Sequence, residues 1–229
     1  MENRIKKVQD VVDLIDKIGQ KGFLYRGQSK HEYGLTPSLG RYSDKAKERG
    51  FDLDSKCEHA LSIFQSELPE YYGRQLNSEM ELLALAQHHG LPTKLIDWSL
   101  SPLIGLYFAV EKSSEQDAAL FVLDTNKAKL KWFHDRNYQQ QAVEELGSFV
   151  YMPRHVTKRL KDQQGVFTYH KEYKKDQGDL EFITKYIIPG ECVNSIRFQL
   201  LCLGITEKFI YSDLDGFCRD LKFSHFHGF

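Results

Sequence analysis

The sequence lacks the features of secreted, membrane-spanning and zinc-binding proteins. Its 229 residues include four cysteines, and no two of them form a CxxC pair, which argues against a zinc ribbon or a thioredoxin-like motif. No apolar run reaches the roughly 18 residues that a membrane helix needs, and the N-terminal stretch MENRIKKVQD contains no apolar signal-peptide core. We therefore expect a cytoplasmic protein with reduced cysteines and no membrane partner.

An excess of charge of one sign is also missing. Lys and Arg number 31 against 32 Asp and Glu, so the net charge is −1 and no global basic field favours nonspecific nucleic-acid binding. The motifs GxGxxG, GxxxxGK[ST], GxSxG and HExxH are absent, which disfavours Rossmann dehydrogenases, P-loop NTPases, α/β-hydrolases and zincins in their usual forms. The apolar fraction of 41% is typical of a folded globular domain.

Hydrophobic periodicity predicts an α+β fold whose strands lie far apart in the sequence. We expect a single domain over 1–229, with a central mixed or antiparallel, split sheet flanked by helices. Residues 34–50 are predicted to form a loop, and residues 126–160 are the least readable segment. Helices are predicted at 5–20, 53–72, 78–89, 102–111, 191–203 and 212–221, and strands at 23–28, 93–98, 118–125, 165–170, 182–189 and 207–212.

The first candidate functional residue is Arg26, which lies in the apolar strand candidate FLYRGQ. A guanidinium in such a strand must find an anion or a set of carbonyl groups. Gly27 beside it allows another backbone or a ligand to approach closely. Two interpretations stay open: a structural salt bridge, or a clamp that binds a phosphate or carboxylate through the planar guanidinium fork.

The stretch AQHHGLPTKLIDWS, residues 86–99, concentrates the other polar candidates. His88 and His89 fall in the last turn of a predicted helix, where the helix dipole favours their protonated forms. Adjacent helical side chains point about 100° apart, so this pair is poorly placed to share one metal ion. No metal site is predicted. His88, His89 and Lys94 are expected to touch an anionic ligand.

Asp97 and two aromatic residues complete this group. Asp97 is flanked by Ile96 and Trp98, and a carboxylate in that setting needs a cation or several hydrogen-bond donors. The predicted partners are Arg26 and the N–H groups of the helix that begins near Pro102. Asp97 is therefore either a cap or core ion-pair partner, or a catalytic group. Trp98 and Tyr107 either stack on a ligand ring or belong to the core.

These motifs resemble the FRG domain, which is named for a Phe-Arg-Gly motif and has a poorly defined function. YRGQ at 25–28 and QHHGLPTKLIDWSLSPLIGLYFA at 87–109 carry the likeness. Similar family elements appear at 159–170, 187–205 and 211–221, so the resemblance spans 23–221. The chain departs from the family pattern at Tyr25 (for Phe), Lys94 (for Arg), Ile96 (for Leu) and Ser99 (for Thr).

A second likeness, to ADP-ribosyltransferases of the Arg-Ser-Glu class, implies an NAD-directed site. There, Arg26 is similar to the arginine that holds the phosphates of NAD, and the strand 93–99 resembles the one beside the nicotinamide. Where such enzymes carry a catalytic Glu, this chain has Gln163-Gln164-Gly165, so the acid is sought among Glu145, Glu172 and Asp213. The implied catalytic residues are Arg26, Asp97, His88 and Glu172, and the implied NAD- or nucleotide-binding residues are Arg26, Gly27, Gln28, His89, Thr93, Lys94, Trp98, Tyr107 and Gln164.

Three functions follow from these observations. The first is an ADP-ribosyltransferase-like enzyme or NAD glycohydrolase, and the second is a module that binds a nucleotide or another phosphorylated small molecule without turnover. The third is a nucleic-acid-directed effector, because a basic and aromatic cluster suits base stacking. That cluster consists of Lys127, Lys129, Lys131, Trp132, Phe133 and Arg136.

Overall fold

The structure is a computed structural model that describes residues 3–19, 21–73, 75–76, 78–112, 115–134, 147–153, 158–178 and 180–226. Its strands are β1 Phe23–Gln28, β2 Leu95–Ser99, β3 Ala118–Asp124, β4 Trp132–His134, β5 Ser148–Met152, β6 Gly165–His170 and β7 Ile183–Ile188. Its helices are α1 Val8–Ile18, α2 Ser43–Arg49, α3 Leu53–Tyr71, α4 Glu79–His88, α5 Pro102–Val110, α6 Lys158–Asp162, α7 Gly190–Cys202, α8 Glu207–Tyr211 and α9 Leu214–Phe226.

The seven strands among the described residues form one mixed sheet in the order β4-β5-β6-β2-β1-β3-β7. The β4–β5 pair is parallel, and the other neighbouring strands run antiparallel. Helices flank this sheet, so the predicted α+β architecture is confirmed.

The sheet is split between β1 and β2. Along these fully described strands, the ladder between them contains one residue pair, Tyr25 with Ser99. By contrast, β1 pairs with β3 from Phe23 to Gln28, and β2 pairs with β6 along its whole length. The two halves of the sheet therefore meet at the C-terminal end of β2, where Ser99 pairs with Tyr25, and diverge along Arg26–Gln28, as the predicted split required.

The core follows this division. One cluster packs α1, α5 and α7 on the half that contains β1, β3 and β7, with Val11, Leu106 and Ile196 at its centre. A second cluster packs α4 on the other half through Met80 and Leu83. A third lies on the opposite face and includes Leu24, Trp98, Phe121 and Val150.

Two secondary-structure predictions were wrong. Residues 207–212 were predicted as a strand, but Glu207–Tyr211 form α8, which the Thr206 side chain caps by accepting from the N–H of Phe209. The Thr206 cap stabilises this single helical turn. The apolar run FIY is too short to show the periodicity of a helix, which is why the sequence predicts a strand there. The predicted loop at 34–50 contains a 3-10 helix, Gly40–Tyr42, followed by α2.

Two boundaries also differ from the sequence predictions. The strand predicted from residue 93 begins at Leu95, because the backbone of Thr93 instead bonds to the loop before α2: its N–H donates to Ser38 Oγ (3.0 Å) and its carbonyl accepts from the N–H of Leu39 (3.0 Å). The unassigned segment 126–160 contributes β4, β5 and the start of α6, and its residues 135–146 and 154–157 lie outside the described ranges.

A glycine contact holds α5 against β1. A Cβ atom on Gly27 would lie 2.1 Å from the carbonyl oxygen of Gly105 and 2.2 Å from the backbone nitrogen of Ala109. From the helix side, a Cβ atom on Gly105 would lie 2.7 Å from the Cβ of Tyr25. The atoms that a Cβ on Gly27 would meet belong to the α5 backbone, which cannot move at one residue alone. The missing side chain of Gly27 therefore sets the distance between α5 and the sheet.

We therefore predict that Gly27→Ala lowers the free energy of unfolding by about 1–3 kcal/mol, the usual cost of overpacking. Gly73→Ala is the matched control, because a Cβ atom there meets nothing within 4 Å; its change should stay within about 0.5 kcal/mol. Urea denaturation of both variants measures the difference. Equal stability of the two variants would contradict the close-contact role of Gly27.

Candidate functional site

A cavity of about 450 Å³ lies where β1 and β2 separate. Strand alternation brings Asp97 and Trp98 to it from opposite faces of the sheet. Its volume is in the range of small-molecule sites, which is about 300–1,000 Å³. The described residues that line it are Tyr25, Arg26, Gly27, Gln28, Ser29, Tyr33, Arg41, Gln87, His88, Asp97, Trp98, Ser99, Phe108, Glu111, Lys112, Arg159, Leu160, Gln163, Gly165, Val166 and Phe167.

Arg26 bridges the split in the sheet. Its Nη1 donates to the backbone carbonyl of Asp97 at 2.8 Å and lies 3.6 Å from Asp97 Oδ2. The predicted contact between the two side chains is thus present. The Nε of Arg26 is buried and has no hydrogen-bond partner within the described part of the chain. Burial lowers the pKa of Arg26, whereas Asp97 opposes that shift, and a guanidinium stays charged in proteins.

Gln87 fixes the carboxylate of Asp97. Its amide Nε2 donates to Asp97 Oδ2 at 2.8 Å. Its Oε1 accepts from Thr93 Oγ1 at 2.7 Å and from Ser38 Oγ at 3.0 Å, so the orientation of the amide is set by its own partners. The Asp97 side chain remains 49% exposed, so the oriented carboxylate is accessible from the cavity.

The cavity carries more positive than negative charge. Among the described lining residues, Arg26, Arg41, Lys112 and Arg159 face two carboxylates, Asp97 and Glu111. His88 adds no charge at neutral pH, because burial lowers its pKa to about 4, with Arg159 and His89 contributing in the same direction. The lining therefore favours an anionic ligand.

Several lining residues were not identified from the sequence. Arg41 lies in the segment predicted as a loop, and Arg159 lies in α6 within the unreadable segment. Glu111 directly follows α5, and its Oε1 accepts from the hydroxyl of Tyr211. The sequence feature that could have indicated Glu111 is the charged Glu-Lys pair that directly follows the apolar run PLIGLYFAV. Glu111 is thus a second carboxylate in the cavity, beside Asp97.

Six of the predicted site residues line the cavity: Arg26, Gly27, Gln28, His88, Asp97 and Trp98. Gln28 is buried and donates from Nε2 to the carbonyl of Gly34 at 2.8 Å. Trp98 is 4% exposed and donates from Nε1 to Thr168 Oγ1 at 2.8 Å. These two side chains therefore shape the wall and have little free surface.

Thr93 and Lys94 do not line the cavity. Thr93 is fully buried and supports Gln87, as described above. Lys94 Nζ pairs with Asp54 Oδ1 at 2.6 Å and lies 5.0 Å from the ring centre of Tyr173. Through these contacts Lys94 joins α3 to the chain that leads into β2, and its predicted role in ligand binding stays a prediction.

The remaining predicted residues also lie away from the cavity lining. His89 is exposed, and Tyr107 is buried in the α5 core. Gln164 adopts a left-handed φ of 47°. Glu172 is 70% exposed and pairs with Lys175 at 3.2 Å. Among the other acids considered, Asp213 accepts from the N–H of Gly216 at the start of α9, and Glu145 lies outside the described residues.

The basic and aromatic cluster around Trp132 contains core residues. Phe133 is buried beside Phe149, and Trp132 packs against the cluster on the opposite face of the sheet. Lys127 lies 4.0 Å from Asp124, and Arg136 is outside the described ranges. The buried ring of Phe133 is unavailable for stacking on a base.

Neither a metal cluster nor a membrane helix is found in the described ranges. No group of three or more His, Cys, Asp and Glu side chains there is arranged to hold a metal ion. No helix among the described residues is long and apolar enough to cross a membrane. The cytoplasmic location stays a prediction.

The fold and cavity define an α+β domain with a cationic site at a split in its sheet. Residues 21–118 match the sequence model of the FRG domain, so the chain contains an FRG domain. That match includes Arg26, Gln87, Asp97 and Glu111. Searches of curated proteins and of solved structures found no match. Extension of the domain over the whole chain stays a prediction.

The neutral state of His88 produces a pH dependence of stability. The pKa values of His88 and His170 are each lowered to about 4 by burial, from an ordinary value of 6.5. The folded protein then binds fewer protons than the unfolded chain between these values, so its stability falls as the pH drops from 6.5 towards 4.

We predict that His88→Gln makes the free energy of unfolding less dependent on pH in this window. His59→Gln is the matched control because His59 is exposed on α3. Urea denaturation at pH 7 and pH 5 measures the dependence, and histidine NMR titration gives the pKa directly. Titration of His88 near 6.5 would contradict the desolvated environment described here.

Proposed function

We propose that this FRG domain binds a nucleotide-like anion in the Arg26–Asp97 cavity, and that the protein is an ADP-ribosyltransferase-like enzyme or NAD glycohydrolase. The observation that carries the proposal is the Arg26 guanidinium, which spans the split and lines a cavity with surplus positive charge. Arginine binds phosphate through its planar set of donors. NAD is therefore the first substrate to test.

The composition of the cavity supports a nucleotide rather than inorganic phosphate alone. Aromatic rings at Tyr25, Tyr33 and Phe108 contribute apolar surface to the lining, and Gln163 provides an amide. Nucleotide sites place apolar and aromatic surface beside a small number of oriented polar groups. Arg26 and Arg159 would hold the phosphates, and the carboxylates of Asp97 and Glu111 would contact ribose hydroxyls.

The proposed reaction breaks the bond between the ribose C1 and the nicotinamide nitrogen of NAD. The bonding electrons leave with nicotinamide, and positive charge develops on the ribose. A carboxylate in the cavity stabilises this charge. Water or a target nucleophile then attacks C1 and loses a proton. With water, the products are ADP-ribose, nicotinamide and a proton.

A second candidate is a binding module without turnover. The observation in its favour is the engagement of Asp97, whose Oδ2 accepts from Gln87 and lies near Arg26. A carboxylate held in this way can orient an arginine without taking part in chemistry. This candidate predicts saturable binding of ADP-ribose and no nicotinamide release.

We predict that Arg26→Gln weakens ADP-ribose binding by about 10- to 100-fold, as expected for lost hydrogen bonds to a charged ligand. Nicotinamide release from NAD should be lost in parallel. Calorimetry measures binding, and chromatography measures release. Arg49→Gln removes an exposed arginine of α2 that does not line the cavity and should behave like the wild type.

A second variant separates binding from folding, because Arg26 also joins the two halves of the sheet. Arg41 lines the cavity but is exposed, and its Nε donates to the nearby carbonyl of Thr36. Arg41→Gln should weaken binding several-fold with unchanged stability, and more so at low salt. Full binding in both variants would contradict the proposed site, and binding without release in the wild type would favour the module.

A further inference from the structure

Tyr211 connects the C-terminal helices to the cavity. It is the last residue of α8 and lies outside the segment that matches the FRG domain. Its hydroxyl donates to Glu111 Oε1, and its ring centre lies 4.6 Å from the guanidinium carbon of Arg159. Glu111 and Arg159 both line the cavity. One side chain therefore contacts two cavity residues of opposite charge.

A second arginine also contacts the Tyr211 ring. The guanidinium carbon of Arg219 lies 4.5 Å from the ring centre. Arg219 Nε donates to Glu207 Oε2 at 2.9 Å, and Glu207 is 8% exposed. Glu207 also accepts from Arg197 Nη2 at 2.8 Å, which ties the group to α7.

The peptide backbone near Tyr211 is attached to α6 as well. Gln163, a cavity residue, donates from Nε2 to the carbonyl of Ile210 at 3.2 Å. Ser212 donates from its hydroxyl to Asp162 Oδ2. Relative motion of α8 and α6 is thereby restricted, so the Tyr211 ring and the Arg159 stem keep a fixed spacing.

Arg159 has a buried hydrogen-bond donor that the described residues leave unused. Its Nε is buried and has no hydrogen-bond partner among the described residues. Its guanidinium rests on the Tyr211 ring, an arrangement that orients a cation while leaving its in-plane donors free. Burial and the hydrogen bond to Glu111 raise the pKa of Tyr211, so its hydroxyl stays protonated at neutral pH.

We propose that Tyr211 is a positioning residue for the cavity: its hydroxyl orients the Glu111 carboxylate towards a ribose, and its ring orients the Arg159 guanidinium towards a phosphate. This inference rests on the proposed nucleotide function for its ligand. It assigns to the C-terminal helices the completion of a site that the FRG segment begins. Glu111 is the acid that such a site requires in place of the glutamate absent at Gln163-Gln164-Gly165.

Two variants separate the roles of the hydroxyl and the ring. Tyr211→Phe removes the bond to Glu111 but keeps a ring beneath Arg159, so kcat for nicotinamide release should fall about tenfold. The Kd of ADP-ribose should change less than about twofold, because the cation–π contact remains. Tyr211→Leu removes both contacts and should additionally raise this Kd roughly fivefold.

Phe217→Leu is the matched control. Phe217 lies on α9 with Lys208 5.0 Å from its ring centre, so this variant also removes a cation–π pair from the C-terminal helices. Phe217 does not line the cavity. Its variant should retain wild-type kcat and Kd. If the wild type releases nicotinamide, the positioning role is overturned by an unchanged kcat in Tyr211→Phe. An equal fall of kcat in Phe217→Leu would overturn it as well.

A readout without ligand distinguishes this inference from the proposed function. The Nε–Hε NMR signal of Arg159 should carry a ring-current shift in the wild type and in Tyr211→Phe, and lose it in Tyr211→Leu. If the wild type binds no ADP-ribose and releases no nicotinamide, the proposed function fails, and this signal alone decides whether Tyr211 orients Arg159. An identical Arg159 signal in the wild type and Tyr211→Leu overturns the inference.

Discussion

The hydrogen bond from Arg26 to the Asp97 carbonyl is the contact on which the rest of the site depends. Strands β1 and β2 diverge after Tyr25 in β1 and before Ser99 in β2, so the backbone groups that face each other beyond this pair have no ladder bonds between these two strands. The guanidinium occupies the gap and donates at 2.8 Å to one of the freed carbonyls. Without it, the partly buried carbonyl of Asp97 would lose its donor, and the half-exposed Asp97 carboxylate would lose its neighbouring cation.

The same divergence explains why a cavity exists at all. A regular antiparallel ladder places neighbouring strands about 4.8 Å apart and leaves no space for a ligand. Here α5 stays close to β1 through Gly27 and Gly105, while α4 packs on the half that contains β2. Each half keeps its own packing, and the space between them fills with polar side chains from both.

Hydrogen bonds and cation–π contacts then fix the orientation of the charged side chains that line the cavity. Gln87 fixes Asp97 on one wall, and Tyr211 contacts Glu111 and Arg159 on another. The first wall belongs to the segment that matches the FRG domain, and the second depends on helices beyond it. An anion that enters from solvent would meet arginines whose orientation is already set, which reduces the entropic cost of binding.

Sequence reasoning identified local elements better than long-range partners. The strand at residues 23–28 and the helix that begins at Pro102 were predictable because alternation, caps and proline act over a few residues. The Arg26–Asp97 contact was predictable because a charged residue in an apolar strand demands a partner. The sequence did not identify the group formed by Glu111, Arg159 and Tyr211, because no local sequence pattern predicts that α5, α6 and α8 lie close together. Thr93 shows a related limit, because a hydroxyl beside a glycine-proline turn suits a ligand and a structural hydrogen bond equally well, and its predicted role in ligand binding stays a prediction.

The most direct test of the central claim is a crystal structure of the protein with ADP-ribose bound. We predict a phosphate within hydrogen-bonding distance of the Arg26 guanidinium, with the Arg26 Nη1 bond to the Asp97 carbonyl retained and the sheet still split. Ligand bound elsewhere on the protein, with Arg26 unchanged between its two strands, would contradict the account and leave Arg26 as a structural bridge between the halves of the sheet.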